Sequence, residues 1–194
     1  MHITTELVKE LRDKTGVSVM LCKKALEETG GDIEKATMLL AKKSAIDAHK
    51  KSGRKLAAGV VASYIHTTGN VGTMVELLCE TDFVAKNEEF KTLARDIAMH
   101  AAATNPQFLK IEDIDEHSKS LAVEMFAKEV EGKPEDIKAK VLEGKLSSYW
   151  NERVLLNQSF IKNPDVTITN LLQSAIQKFG EKIEVSRFVR FSVS

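Results

Sequence analysis

Glu80-Thr81-Asp82-Phe83-Val84-Ala85-Lys86-Asn87-Glu88-Glu89-Phe90 joins two stretches of different periodicity. Ahead of it, the apolar run Met74-Val75-Glu76-Leu77-Leu78-Cys79 reads as a buried strand. Behind it, Phe90, Leu93, Ala94, Ile97, Ala98 and Ala101 recur at the spacing of one helical face. Asn87 suits the N-cap of that helix. Glu88 and Glu89 fall in its first turn, where the helix dipole favours negative charge. Phe83 therefore lies in a short strand-to-helix connection. Such a ring either folds back as a lid on its own core or stands out as a contact, and the pattern leaves both open.

Working outward, residues 59–66 and 71–81 are strand candidates, separated by the hairpin connection Thr67-Thr68-Gly69-Asn70. The helix after Phe90 stops at Asn105-Pro106, and a loop with Phe108, Ile111 and Ile114 follows. Two further helices are expected, one over about 118–131 stopped by Gly132, the next from Pro134 through Ile137, Val141 and Leu142. Tyr149-Trp150 and Leu155-Leu156 are expected to cover the sheet. Beyond Asn163-Pro164-Asp165, the residues Ile168, Leu171, Leu172, Ala175, Ile176 and Phe179 form a helical stripe ended by Gly180. The last strand alternates Val189, Phe191 and Val193 with Arg190 and Ser192, as a sheet with one wet face requires. Residues 56–194 thus read as an α+β core with a three-stranded antiparallel sheet.

Residues 1–52 read as a separate bundle of three short helices. Thr4, Ser18 and Asp32 are the caps, Gly16 and Gly30-Gly31 the stops, and Ile3 with Val8 a hydrophobic staple. Leu21, Cys22, Ala25 and Leu26 fill the inward face of the second helix, with Ile33, Ala36 and Leu40 on the third. Val19 and Met20, beside Lys23, either complete this small core or form a docking patch of the kind ubiquitin-associated-like domains present. Lys50-Lys51-Ser52-Gly53-Arg54-Lys55 is the domain boundary.

Composition narrows the function classes. Net charge is zero, with 12 basic and 8 acidic residues in 1–55 and 16 and 20 in the remainder. The basic run lacks interleaved aromatics, so it reads as a solvated linker, and a single-strand nucleic-acid binder is disfavoured by the acidic core. No apolar run reaches the roughly 20 residues of a membrane span. Early acidic residues (Glu6, Glu10, Asp13) do not suit a signal or transit segment, so a cytoplasmic location is expected. Cys22 and Cys79 form no CxxC and read as reduced, packed thiols. His2, His49, His66, His100 and His117 have no metal-ligand spacing, and no nucleophile elbow or phosphate cradle is present. His100, beside an apolar stripe, reads as structural. Neither an enzyme nor a cofactor is expected.

Thr81-Asp82-Phe83-Val84-Ala85-Lys86, after a strand and before a helix, resembles the signature of the elongation factor Ts family, whose members exchange guanine nucleotide on the GTPase elongation factor Tu. The likeness extends through Leu11-Arg12, Thr15-Gly16, Cys22-Lys23-Lys24-Ala25-Leu26 and Gly31-Asp32-Ile33 with Ala36. It implies that Val19, Met20 and Lys23 dock on the partner's GTPase domain, and that Thr81, Asp82, Phe83 and Val84 insert beside the partner's magnesium site. Tyr64-Ile65-His66 resembles a strand motif whose histidine lies at the interface, and Phe179-Gly180-Glu181-Lys182-Ile183 before Arg187 and Arg190 resembles another contact loop. Long members carry two core halves, whereas this chain resembles a short form with one, which implies a homodimer. The alternative from a different class is a ubiquitin-associated-like adaptor without exchange activity, which leaves residues 56–194 without a purpose.

Overall fold

The computed structural model describes residues 3–130 and 134–193. His2 and the expected stop at Glu131-Gly132 lie outside them. Helices α1 (Thr5–Thr15), α2 (Val19–Glu28) and α3 (Ile33–Lys51) pack together at the N-terminus. Each has the expected cap: the Thr4, Ser18 and Asp32 side chains accept from the backbone N–H of Leu7, Leu21 and Lys35. Such caps contribute about 1 kcal/mol each. Their shared core holds Val8, Leu11, Val17, Cys22, Ala25, Leu26, Ala36 and Leu40.

The third helix is not short. Beyond Leu40 it presents small residues, so it continues as one rod onto the rest of the chain. There Ser44 is buried and donates to the Gln177 side chain at 2.5 Å, and Ala48 packs against the second core.

That second core is built on β1 (Ala58–Ile65), β2 (Val71–Cys79) and β5 (Ile183–Ser192), an antiparallel sheet in the order β1-β2-β5. Val75, Leu77 and Cys79 of the central strand are fully buried. Helix α5 (Glu88–Thr104) covers this face with Phe90, Ala94, Ile97, Ala98 and Ala101, and α8 (Ile168–Phe179) adds Ile168, Leu172, Ala175 and Ile176. The alanines let α5 approach closely enough for Thr73 Oγ1 to donate to the Ala98 carbonyl at 2.6 Å.

Two expectations fail in instructive ways. The apolar residues of the last strand point away from the helices: Val189, Phe191 and Val193 are 42%, 69% and 75% exposed. The cause is a bulge. Glu76 pairs with Arg187 but Leu77 pairs with Val185, so Ser186 is an extra residue in β5. One inserted residue reverses the facing of everything beyond it. Ile183 and Val185 face inward before the bulge, and Phe188 and Arg190 after it, with Arg190 Nε donating to the Ala102 carbonyl. Secondly, Tyr149 and Trp150 do not lie on the sheet. They sit on α7 (Glu135–Asn151), which packs with α6 (Glu116–Ala127), and form an aromatic cluster with Phe126 and Phe108, the Arg153 guanidinium stacking 3.6 Å from the Tyr149 ring centre. Only Leu155 of that expected cover is fully buried. A two-stranded ribbon, β3 (Ser159–Phe160) with β4 (Asn163–Thr167), takes in Asn163-Pro164-Asp165 ahead of α8.

His100 is fully buried on α5. Its Nε2 donates to Gln158 Oε1 at 2.9 Å while Nδ1 accepts from the Ile161 N–H at 3.3 Å, a pattern only the neutral ring satisfies. Burial pushes its pKa below the ordinary 6.5. The unfolded chain then binds the proton more readily, so stability is intact above 6.5 and falls as pH drops from there toward the folded value. Thermal unfolding should therefore show a falling midpoint from neutral pH to about pH 5, and a flatter profile for His100→Gln.

Candidate functional site

The ladder between β2 and β5 ends at the pair Cys79–Ile183. The next two residues leave the sheet, and their N–H groups lose strand partners. Glu181 supplies both: one carboxylate oxygen accepts from the Glu80 N–H at 3.1 Å and the Thr81 N–H at 3.0 Å, the other from the Thr81 hydroxyl at 2.6 Å. Thr81 is also the N-cap of a single helical turn, α4 (Asp82–Ala85), its Oγ1 accepting from the Val84 N–H. The sequence places Thr81 in the strand and Phe83 in a loop. The strand in fact stops at Cys79, and Phe83 sits in this turn.

One face of the turn is packed and the other is open. Val84 and Ala85 are buried against the core, while Phe83, one residue earlier, is 82% exposed. That value excludes the lid. Asn87 then caps α5 by accepting from the Glu89 N–H at 2.8 Å, so rigid elements flank the ring on both sides. Asp82 pairs with Lys86 at 2.6 Å, and this ammonium lowers the carboxyl pKa. Both side chains are about three-quarters exposed, 77% and 76%, so solvent screens the pair and either partner can exchange it for another.

Glu80 reciprocates from the β2 side. It accepts from the Lys182 N–H at 2.5 Å and from Arg54 Nη1 at 3.1 Å, and the Lys182 N–H is the main reason its pKa is lowered. Arg54 also reaches the Gly180 carbonyl at 3.5 Å. Gly180 ends α8 with φ +73°, a left-handed conformation that brings Glu181 round toward Thr81. The sequence signals the helix stop at Gly180 but not this clamp, because nothing in local spacing links residues 80 and 181.

The other candidate residues lie on separate elements. Val19 and Met20 open α2 and are 51% and 81% exposed, while Cys22, Ala25 and Leu26 close the bundle core without them. Lys23 is exposed and pairs loosely with Glu27 at 3.9 Å. Phe179 is half-buried, edge-on to Phe90 with ring centres 6.1 Å apart. His66 is exposed and shares a hydrogen bond with the Tyr64 hydroxyl at 3.2 Å. It follows Ile65, which pairs with Gly72, whereas Ala58 at the strand's other end pairs with Cys79. At about 3.3 Å per residue, His66 is thus roughly 25 Å along the hairpin from the Phe83 turn.

Cys79 donates its thiol to the Thr81 carbonyl at 3.2 Å, and burial raises its pKa, as it does for Cys22. Both thiols are packed and poorly reactive. Among the described residues, no His/Cys/Asp/Glu group is placed to hold a metal ion, and no helix is long and apolar enough to cross a membrane.

Comparison with known proteins gives one answer along the whole chain. The family model described as elongation factor Ts matches residues 27–194. Elongation factor Ts of Thermodesulfovibrio yellowstonii is 48% identical over 100% of this chain and 97% of its own length. That of Alkaliphilus metalliredigens is 49% identical over 100% of this chain and 90% of its own. The protein of the same name from Gloeothece citriformis is 48% identical over 98% of this chain, but the match takes in 68% of that longer relative. The chain belongs to the elongation factor Ts family.

Proposed function

We propose that the chain is a guanine-nucleotide exchange factor for elongation factor Tu in translation elongation, acting in the cytoplasm without bond chemistry of its own. The carrying observation is Phe83, a large apolar ring left 82% exposed on a turn fixed at both ends. An exposed aromatic on a rigid mount offers contact area at little cost in conformational entropy.

A GTPase holds GDP through its phosphates and a bridging magnesium ion. An exchange factor must bind the nucleotide-free partner better than the loaded one, and the coupling is reciprocal: every kcal/mol by which it weakens GDP is one by which GDP weakens it. In this reading Phe83 wedges between partner elements and shifts the magnesium ligands. Asp82 leaves Lys86 for a partner donor, and Val84 with Thr81 keeps the turn in place. The bundle of residues 1–52 is the docking domain and residues 56–194 the exchange core. Docking through Val19, Met20 and Lys23 offsets the cost of inserting the wedge. Met20→Asp puts a charge in the centre of that patch and should weaken complex formation by roughly tenfold or more, read by titration calorimetry, with folding unchanged because the side chain is exposed.

A homodimer completes the proposal. The sheet face opposite the helices carries Val61, Ile65, Met74, Val189 and Phe191, all at least 42% exposed. Gly72 lies among them, and the Ile65 side chain crosses over it, 2.6 Å from where a Cβ would stand. Apolar exposure on this scale asks for a cover. A second copy offers the same face, and it would let His66 of one chain and the Phe83 turn of the other serve one partner.

The decisive experiment mixes the purified protein with elongation factor Tu loaded with fluorescent GDP and follows release by stopped flow. Accelerated release supports exchange. Binding without acceleration favours the adaptor alternative instead.

A further inference from the structure

We propose that Glu181 is a positioning residue for exchange: its carboxylate fixes the Glu80–Thr81 backbone and the Thr81 hydroxyl, and so sets where Phe83 is presented. The inference rests on the exchange reading and adds a residue that acts through its bonds to Glu80 and Thr81.

Three hydrogen bonds converge on this carboxylate at 3.1, 3.0 and 2.6 Å, all from the two residues that lead into the Phe83 turn. A carboxylate is suited to the task because it only accepts, through two oxygens, and here every donor comes from one short segment. The Thr81 hydroxyl, having donated to Glu181, keeps a lone pair for the Val84 N–H and so caps the turn. One proton therefore orders two steps in series, the chain leaving the sheet and the helical turn carrying the ring. No other described side chain bonds these donors. Glu80 faces the opposite way, tying the Lys182 N–H and Arg54. The two glutamates thus cross between the end of β2 and the start of β5. Arg54 lies in the connection from the N-terminal bundle, so the mount of the wedge is also joined to the docking end of the molecule.

Glu181→Ala removes all the acceptors at once. Glu181→Gln keeps one carbonyl oxygen for the two backbone N–H groups and turns its amide toward Thr81 Oγ1, which can accept. The first variant should slow accelerated GDP release roughly tenfold at saturating factor, since small displacements of a positioned group cost on that order, with affinity for the GDP-loaded partner within about twofold. The second should recover most of the rate. In a Phe83→Ala background, Glu181→Ala should cost nothing further, because there is no ring left to place. Hydrogen exchange at the Glu80 and Thr81 amides, measured on the free protein, should speed up in Glu181→Ala and not in Phe83→Ala.

A Glu181→Ala rate equal to wild type, or an equal loss with and without Phe83, overturns the positioning role. Unfolding of Glu181→Ala moves the test to the Gln variant and the Thr81→Val variant, whose amide exchange and release rates must change together. If the wild type itself fails to accelerate release, the exchange reading has failed. The amide-exchange result then stands alone, and protection unchanged by Glu181→Ala overturns the clamp as well.

Discussion

Replacing Phe83 by alanine should slow stimulated GDP release by roughly 100-fold while leaving affinity for the GDP-loaded partner within about threefold. The magnitude follows from area. A phenylalanine ring buries roughly 150–250 Å² when it is enclosed. At about 25 cal/mol per Å², even half of that burial amounts to about 2–3 kcal/mol, a factor of roughly 30 to 150. That energy acts on the rate only if it is realised in the nucleotide-free complex and not in the loaded one. In the free protein the ring gains nothing at home, being 82% exposed, while its neighbours Val84 and Ala85 are already buried. Removing the ring should therefore leave the fold intact. Thermal unfolding of the variant should match wild type, and fluorescent-GDP stopped flow should carry the whole effect. By reciprocity, the factor by which GDP weakens the complex should shrink by the same amount as the factor by which the complex weakens GDP binding. A wild-type release rate in this variant would remove the wedge from the mechanism.

What the sequence reveals and what it hides follow from the range of the forces involved. Caps and stops are local, satisfied by groups two to four residues away, so Thr4, Gly16, Ser18, Asp32, Asn87 and Gly180 are all legible as boundaries. The α5 and α8 stripes are legible because one face of each meets a core. The Phe83 turn is half legible: strand, connection and helix can be read, but not the one-turn helix, whose cap depends on Thr81 being held by a residue 100 positions away. The facing of β5 is not legible at all. Its alternation is genuine, yet Ser186 shifts the phase, and a bulge leaves no mark in a pattern of apolar and polar residues. The Tyr149-Trp150 pair misleads for a related reason. Aromatic content predicts burial but not the partner, and here the partners are Phe126 and Phe108.

The same bulge leads to the second large effect. Had β5 kept its phase, Val189 and Phe191 would lie under the helices, and β5 would give the outer face Phe188, Arg190 and Ser192 beside Val61, Ile65 and Met74 of the other strands. With the phase reversed, Phe191 is 69%, Ile65 65% and Val61 60% exposed on one side of a twisted sheet. The apolar part lies toward the His66 end of the hairpin, whereas Glu76, paired with Arg187 at 3.1 Å, begins a charged part nearer the Phe83 end. Two copies meeting face to face would bury the first part and leave the second at the rim, the ordinary division of an interface. Phe191→Asp should therefore raise the dimer dissociation constant by roughly 100-fold or more, seen as a shift to monomer in sedimentation velocity at micromolar concentration. Because the side chain is exposed in the single chain, the monomer itself should keep its fold and unfold cooperatively. Its effect on exchange discriminates further. If one partner is served by the Phe83 turn of one copy and His66 of the other, the monomeric variant loses stimulated release along with the dimer, and mixing it with a Phe83→Ala chain restores nothing. A wild-type chain that sediments as a monomer and exchanges at full rate would show that a single core suffices, leaving the outer face to some other cover.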